Sequence, residues 1–243
     1  MKPYLLELSN LNVSYPNGIQ ALSAVNLKID EGGLWGILGP NGSGKTTLLK
    51  AILGLLPHNG KVLFRAQPIK KSAKQIAYVE QKGDFDMDFP ITVFQCVLTG
   101  TYPKLGLFKK PGSSEKQAVL NALDKLGLMQ FKNRQIGQLS GGQFQRVLIA
   151  RMLVQNADLI FLDEPFIGID MESEALIIHH LKQMALNGHT IIMVHHDLKA
   201  VREYFDKLIL VNRTVVDYGA TEDIFIGEKL KQVFPYYHEV VLA

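Results

Sequence analysis

The chain has 243 residues, 47% of them apolar and 20% charged, which suits a packed core and excludes disorder and collagen-like structure. No uninterrupted apolar run exceeds four residues, whereas a membrane-spanning helix needs about 20. A net charge of +3 is too slight a basic excess to argue for nucleic acid.

The single cysteine, Cys96, excludes an intrachain disulfide and fits a reducing compartment. Met1-Lys2-Pro3-Tyr4 opens no long apolar stretch and no cleavage pattern, so no signal peptide is expected. Residues 5–13 and 24–29 alternate loosely around the turn signal Pro16-Asn17-Gly18. They read as an antiparallel piece, continued by residues 61–64 after Asn59-Gly60. Residues 34–38, 159–162, 191–194 and 208–211 are short apolar runs separated by helix-length stretches. Such runs predict parallel strands covered on both faces. Residues 86–155 read as helical, with a loop over 101–112, where Pro103, Gly106, Pro111 and Gly112 fall. Ser113-Ser114 can cap a helix through Leu120, Leu123 and Leu126 to Gly127. A Thr221-capped helix is expected near the end, with no room after it for a regulatory domain of about 100 residues.

Gly39-Pro40-Asn41-Gly42-Ser43-Gly44-Lys45-Thr46 matches G-x-x-x-x-G-K-[ST], after a predicted strand and before a helical run from Thr47 to Leu53 that Gly54 closes. Glycines let backbone N–H groups wrap an anion, and the helix N-terminus adds its dipole. Lys45 is then placed for the β- and γ-phosphates and Thr46 for Mg²⁺. A Gly-rich turn that merely joins strand to helix is the simpler alternative, which the full motif match in this setting disfavours. The strand over 159–162 ends in Asp163-Glu164. Beside a phosphate loop, Asp163 can anchor Mg²⁺ through a metal-bound water, and Glu164 can accept a proton from the attacking water. Taken alone, the pair could be a solvated acidic turn before Pro165. Leu139-Ser140-Gly141-Gly142-Gln143 precedes a helix over 144–154 and reads either as a second anion site or as an ordinary Ser cap.

In combination, these motifs resemble the ATP-binding subunit of ABC transporters, over essentially the whole chain and in the family's order. Residues 39–46 look like the Walker A motif, 139–143 are identical to the signature LSGGQ, and 159–164 look like Walker B with its catalytic glutamate. Gln81 lies at the Q-loop glutamine and His196 at the switch histidine; Tyr15 resembles the aromatic that stacks on adenine, and Asp170 fits the D-loop aspartate. The resemblance implies one α/β domain over 1–243. Its core is a P-loop ABC ATPase fold, a mixed, largely parallel sheet with helices, with an N-terminal antiparallel β subdomain and an inserted helical subdomain over about 86–155. It implies ATP and Mg²⁺ as cofactors, with Thr46, Gln81 and Asp163 toward the metal and Glu164, His196, Gln81 and Lys45 catalytic. It further implies a homodimer with ATP sandwiched between a phosphate loop and the other copy's Ser140 to Gln143, on integral membrane permease subunits at the cytoplasmic face. A solute-binding protein takes part indirectly, and nucleic acid does not. The segments 86–93, 134–138 and 165–170 resemble the manganese, zinc or iron importer branch.

Three positions depart from the family pattern: Glu80 before Gln81, Phe144 after the signature, and His195 in place of a small residue. Were that loop to slip by one residue, His195 would take the switch position; the following Asp197 favours His196. Asp84, Asp86 and Asp88 alternate like a calcium loop, but Phe89 and Gln95 stand where such a loop needs glycine and glutamate. The pairs His179-His180 and His195-His196 point apart on a helix or strand and chelate poorly. Lys70, Lys71 and Lys74, and Lys104, Lys109 and Lys110, read as solvated faces or as groups drawn to anionic lipid. The alternative function is a soluble ABC ATPase of an iron–sulfur assembly scaffold. Repair ATPases carry a long coiled coil between Walker A and the signature, and translation-type proteins carry two cassettes. Here there are no sustained heptads and one Walker A motif.

Overall fold

The computed structural model describes residues 3–81, 86–106 and 109–234; Asp84 of the rejected calcium loop lies outside them. In chain order, β1 (Leu6–Ser14), β2 (Gln20–Ile29) and β3 (Gly33–Leu38) lead to α1 (Lys45–Ile52), β4 (Asn59–Phe64), β5 (Gln67–Pro68) and β6 (Ile76–Val79). Helices α2 (Val93–Leu98), α3 (Tyr102–Leu105), α4 (Ser113–Lys125) and α5 (Gly141–Gln155) follow. The chain continues through β7 (Leu159–Asp163), α6 (Met171–Leu186), β8 (Thr190–Val194), α7 (Val201–Tyr204), β9 (Lys207–Val211), β10 (Val215–Ala220), α8 (Thr221–Ile224) and α9 (Gly227–Val233). It divides into two compact units: the described residues up to Ala73 with those from Met184, and Lys74–Gln183.

The first unit holds two sheets. In the antiparallel one, ordered β2-β1-β4-β5, Leu6 faces Ile29 on one side and Phe64 on the other. Leu6, Leu8, Leu11 and Val13 are buried, and the ladder shifts between Leu8 and Leu11 around Asn10, whose φ is 50°. That irregularity lets the inward set stay inward across an odd spacing. Tyr15 N–H bonds the Ile19 carbonyl at 2.9 Å, closing the Pro16-Asn17-Gly18 turn. In the other sheet β3 lies between β8 and β9 and runs parallel to both, with β10 antiparallel outside β9. Leu34, Ile37, Leu38, all of β8 and Leu208 to Val211 are buried, as runs covered on both faces require.

In the second unit β6 and β7 pair in parallel from Ile76↔Leu159 to Val79↔Leu162. Helices α2 and α4 pack on α5, and Val93, Val97, Val119, Leu123, Phe144 and Leu148 of these helices are buried. Phe144, bulky for its place after the signature, is wholly buried there. Gln155 Nε2 donates to the Ile76 carbonyl at 2.7 Å, tying the end of α5 to β6.

Three local expectations are corrected. The loop expected over 101–112 contains a helical turn, α3, with Pro103 in its first turn, where a missing N–H breaks no intrahelical bond. Helix α4 is capped from Gly112, whose N–H bonds the Glu115 carboxylate at 2.8 Å; Ser113 and Ser114 are already helical. Thr221 does not cap α8 with its side chain: its hydroxyl donates to the Phe205 carbonyl at 2.7 Å. Among the described residues, no helix is long and apolar enough to cross a membrane.

Candidate nucleotide site

Strand β3 delivers the chain to Gly39, and α1 begins at Lys45, so residues 39–44 form the strand-to-helix loop that the motif requires. A Cβ at Gly39 would collide with the Val211 carbonyl and the Ser43 hydroxyl, so the position admits no side chain. Gly44 sits at φ 99°, in the left-handed region. The loop is pinned from outside itself by the Arg213 N–H, which donates to the Ser43 carbonyl at 2.8 Å. Lys45 is buried, and its Nζ donates to the carbonyls of Gly39 at 2.9 Å and Pro40 at 3.0 Å. The ammonium is thus held against the loop's own oxygens. Ser43 Oγ is buried with no hydrogen-bond partner among the described residues. A buried cation, an orphaned hydroxyl and a cradle that a Cβ would fill fit a polyphosphate. Asn41 and Gly42 are exposed, and Pro40 and Thr46 are half-buried at the loop's rim. Tyr15 shares a 2.7 Å hydrogen bond with Thr47 Oγ1, which fixes its hydroxyl on the start of α1 while the residue stays 39% exposed.

In the second unit, β7 is wholly buried and ends on Asp163, 1% exposed. The next residue, Glu164, has φ 48°. An L-residue in the left-handed region costs roughly 1–2 kcal/mol, and such strain collects at functional sites. Gln81 Nε2 donates to Glu164 Oε2 at 3.1 Å, so the structure brings these two site residues together. Asp163 and Gln81 offer oxygen donors, the chemistry a hard cation such as Mg²⁺ prefers.

Ser140 caps α5: its hydroxyl accepts the Gln143 N–H at 3.3 Å, and Gln143 Oε1 accepts the Ser140 N–H at 3.0 Å. This reciprocal box sets Gly141, Gly142 and Gln143 in the helix's first turn. Asp170 accepts from the Ser173 N–H at 2.8 Å and hydroxyl at 2.9 Å. These bonds, with Arg146 nearby, hold its carboxyl below the usual carboxylate range. A Cβ on Gly142 would lie 3.3 Å from Asp170 Oδ2, so a bare backbone at 142 lets the two segments meet.

The adjacent histidines His195 and His196 do not point fully apart, their ring centroids lying 5.8 Å from one another, but they differ in burial. His195 is 4% exposed, and burial foremost, then its neighbour His196, pushes its pKa down to about 4 against the pull of Asp197. His196 is exposed. In the other pair, His180 Nε2 donates to the Lys125 carbonyl at 2.9 Å, a helix-end contact. Among the described residues, no group of three His, Cys, Asp or Glu side chains is placed to hold a metal ion.

Sequence reasoning missed Ser173, Arg213 and the Gln81–Glu164 bond. Asp170-Met171-Glu172-Ser173 is a helix-start pattern that could have found Ser173. No local signal marks Arg213, which acts through its backbone from far along the chain.

The ABC transporter family matches residues 22–167. The manganese transport system ATP-binding protein MntB of Listeria monocytogenes is 51% identical over 93% of this chain and 94% of its own. The zinc transport system ATP-binding protein TroB of Treponema pallidum is 44% identical, over 95% and 87%. Among solved structures, cbiO1 of Clostridium perfringens, part of the ABC transporter complex cbiONQ, superposes with TM-score 0.79 at 31% identity, over 99% and 98%. The phosphate loop and the LSGGQ helix therefore sit in a chain that belongs to the ABC transporter family, as its ATP-binding and ATP-hydrolysing subunit.

Proposed function

We propose that this chain is the motor subunit of a membrane importer for a divalent metal ion (manganese, zinc or iron). The observation that carries this reading is the likeness, at 51% and 44% identity over nearly the whole chain, to proteins named for manganese and zinc transport. The segments 86–93 and 165–170, which set this branch apart in the sequence, support it. The reported relatives are named for transport, which favours it over an iron–sulfur assembly ATPase.

In this reading the chain is one ABC ATPase domain, with the helical subdomain of about 86–155 inserted. Two copies sandwich ATP at the cytoplasmic face of the membrane, peripherally, on permease subunits that a solute-binding protein supplies. Tyr15 stacks on the adenine. Gly39, Pro40, Asn41, Gly42, Ser43 and Gly44 offer N–H groups to the phosphates, and Lys45 leaves the Gly39 and Pro40 carbonyls for the β- and γ-oxygens. Thr46, Asp163 and Gln81 hold Mg²⁺, which when bound neutralises phosphate charge. Glu164 accepts the proton of the water that attacks the γ-phosphorus as the bond to the ADP oxygen breaks. His196 orients the γ-phosphate. Ser140, Gly141, Gly142 and Gln143, with Asp170, close on the nucleotide of the other copy. ATP favours the closed pair and its hydrolysis the open one, so transport is driven by a difference in binding energy between states.

The test is uptake of ⁵⁴Mn, ⁶⁵Zn and ⁵⁵Fe in cells lacking the gene and complemented with wild type or Glu164→Gln. Loss of uptake of one metal, restored by wild type alone, supports the reading. Uptake of all three that is indifferent to the gene refutes it.

A further inference from the structure

We propose that His195 is a positioning residue for hydrolysis, whose buried ring locks the loop after β8 in the register that presents His196 outward. The inference rests on the role given to His196 above and adds the group that enforces it. Strand β8 pairs with β3 up to Ile37↔Val194, and the His195 N–H then donates to the Ile37 carbonyl at 3.2 Å. Ile37 lies two residues before Gly39, so the His195 backbone is fastened to the strand that carries the phosphate loop.

The ring is held from the other side. Its centroid lies 5.7 Å from that of Tyr204 and 5.5 Å from that of Phe205, the latter edge-on at 61°. Phe205 in turn packs on Gly36, where an added Cβ would come within 2.9 Å of the Phe205 ring. One imidazole thus joins β3, the loop and the end of α7. With His195 buried against these rings, His196 beside it is exposed, its ring centroid 5.8 Å from that of His195. The doubled histidine makes that lock consequential, because a slip of one residue would bury His196 and present the wrong imidazole. Deep burial keeps His195 neutral at physiological pH, which suits a packing group rather than a proton carrier.

The test measures kcat and KM for Mg-ATP in the full chain for His195→Ala, His195→Phe, His196→Ala and the His195→Ala/His196→Ala pair. His195→Ala should lower kcat by about tenfold to a hundredfold, with KM within about threefold of wild type, as misplacement of a catalytic group does. His195→Phe keeps a ring and should restore kcat to within about threefold of wild type. In the His196→Ala background, His195→Ala should cost nothing further, because its effect passes through His196. Amide exchange over 195–200, followed by mass spectrometry, should quicken in His195→Ala and not in His195→Phe, whatever the turnover. Losses that multiply in the pair, unchanged exchange in His195→Ala, or a His195→Phe as slow as His195→Ala would overturn the proposal. Full turnover in His196→Ala would instead refute the role of His196.

Discussion

Replacing Glu164 tests chemistry and strain separately. Glu164→Gln keeps the shape and an oxygen that can still accept from Gln81, but it removes the base. Turnover should fall by about 10²–10⁴-fold while Mg-ATP binding persists. That factor corresponds to about 3–5 kcal/mol of lost transition-state stabilisation. The backbone makes a second, independent prediction. With φ at 48°, residue 164 strains against any Cβ. Glu164→Ala and Glu164→Gly both lose the bond from Gln81, so their difference isolates the Cβ. Glycine should be the more stable by about 1 kcal/mol, relief of a left-handed residue outweighing glycine's own entropy cost. For a chain of this size, that is a melting temperature about 2–4 °C higher. Steady-state ATPase assays and thermal melts of the three variants suffice. Near-normal turnover in Glu164→Gln would refute the base assignment. A Glu164→Ala variant melting at or above Glu164→Gly would refute the strained presentation of this side chain.

Gly39→Ala forces a Cβ onto the Val211 carbonyl. It should destabilise by about 1–3 kcal/mol and weaken nucleotide binding, read by denaturant melts and a fluorescent ATP analogue. Two inactive variants, Ser140→Arg and Lys45→Ala, should partly restore turnover when mixed, since a head-to-tail dimer then holds one site without lesions. The control is an ATP-dependent crosslink between Ser140 and the phosphate loop of separate chains in Glu164→Gln, whose absence would end the sandwich model. Stability should fall as pH drops from 6.5 toward 4, because the unfolded chain then protonates His195 while the native one, with its pKa at about 4, does not. The loss should reach about 3 kcal/mol, and pH-dependent melts of His195→Phe should lack it.

Much of this protein is written locally in its sequence. The buried parallel strands follow from unbroken apolar runs, the antiparallel piece from alternation around Pro16-Asn17-Gly18, and the phosphate loop from eight adjacent residues. Ser140 and Gln143 cap α5 from three residues apart. For the turn, the phosphate loop and the cap the partners are near neighbours in the chain, so spacing alone specifies the geometry; for the strands the sequence marks the element, while its pairing, as of β3 with β8, is long-range. Tertiary structure decided what depends on distant partners. His196 rather than His195 faces outward, because the Ile37 carbonyl fastens the His195 backbone while Tyr204 and Phe205 hold its ring in. Arg213 pins Ser43, and Gln81 reaches Glu164, across chain separations that leave no periodic trace. Such contacts form when packing many side chains offsets the entropy of closing long loops, a competition settled by the whole fold and by no single segment.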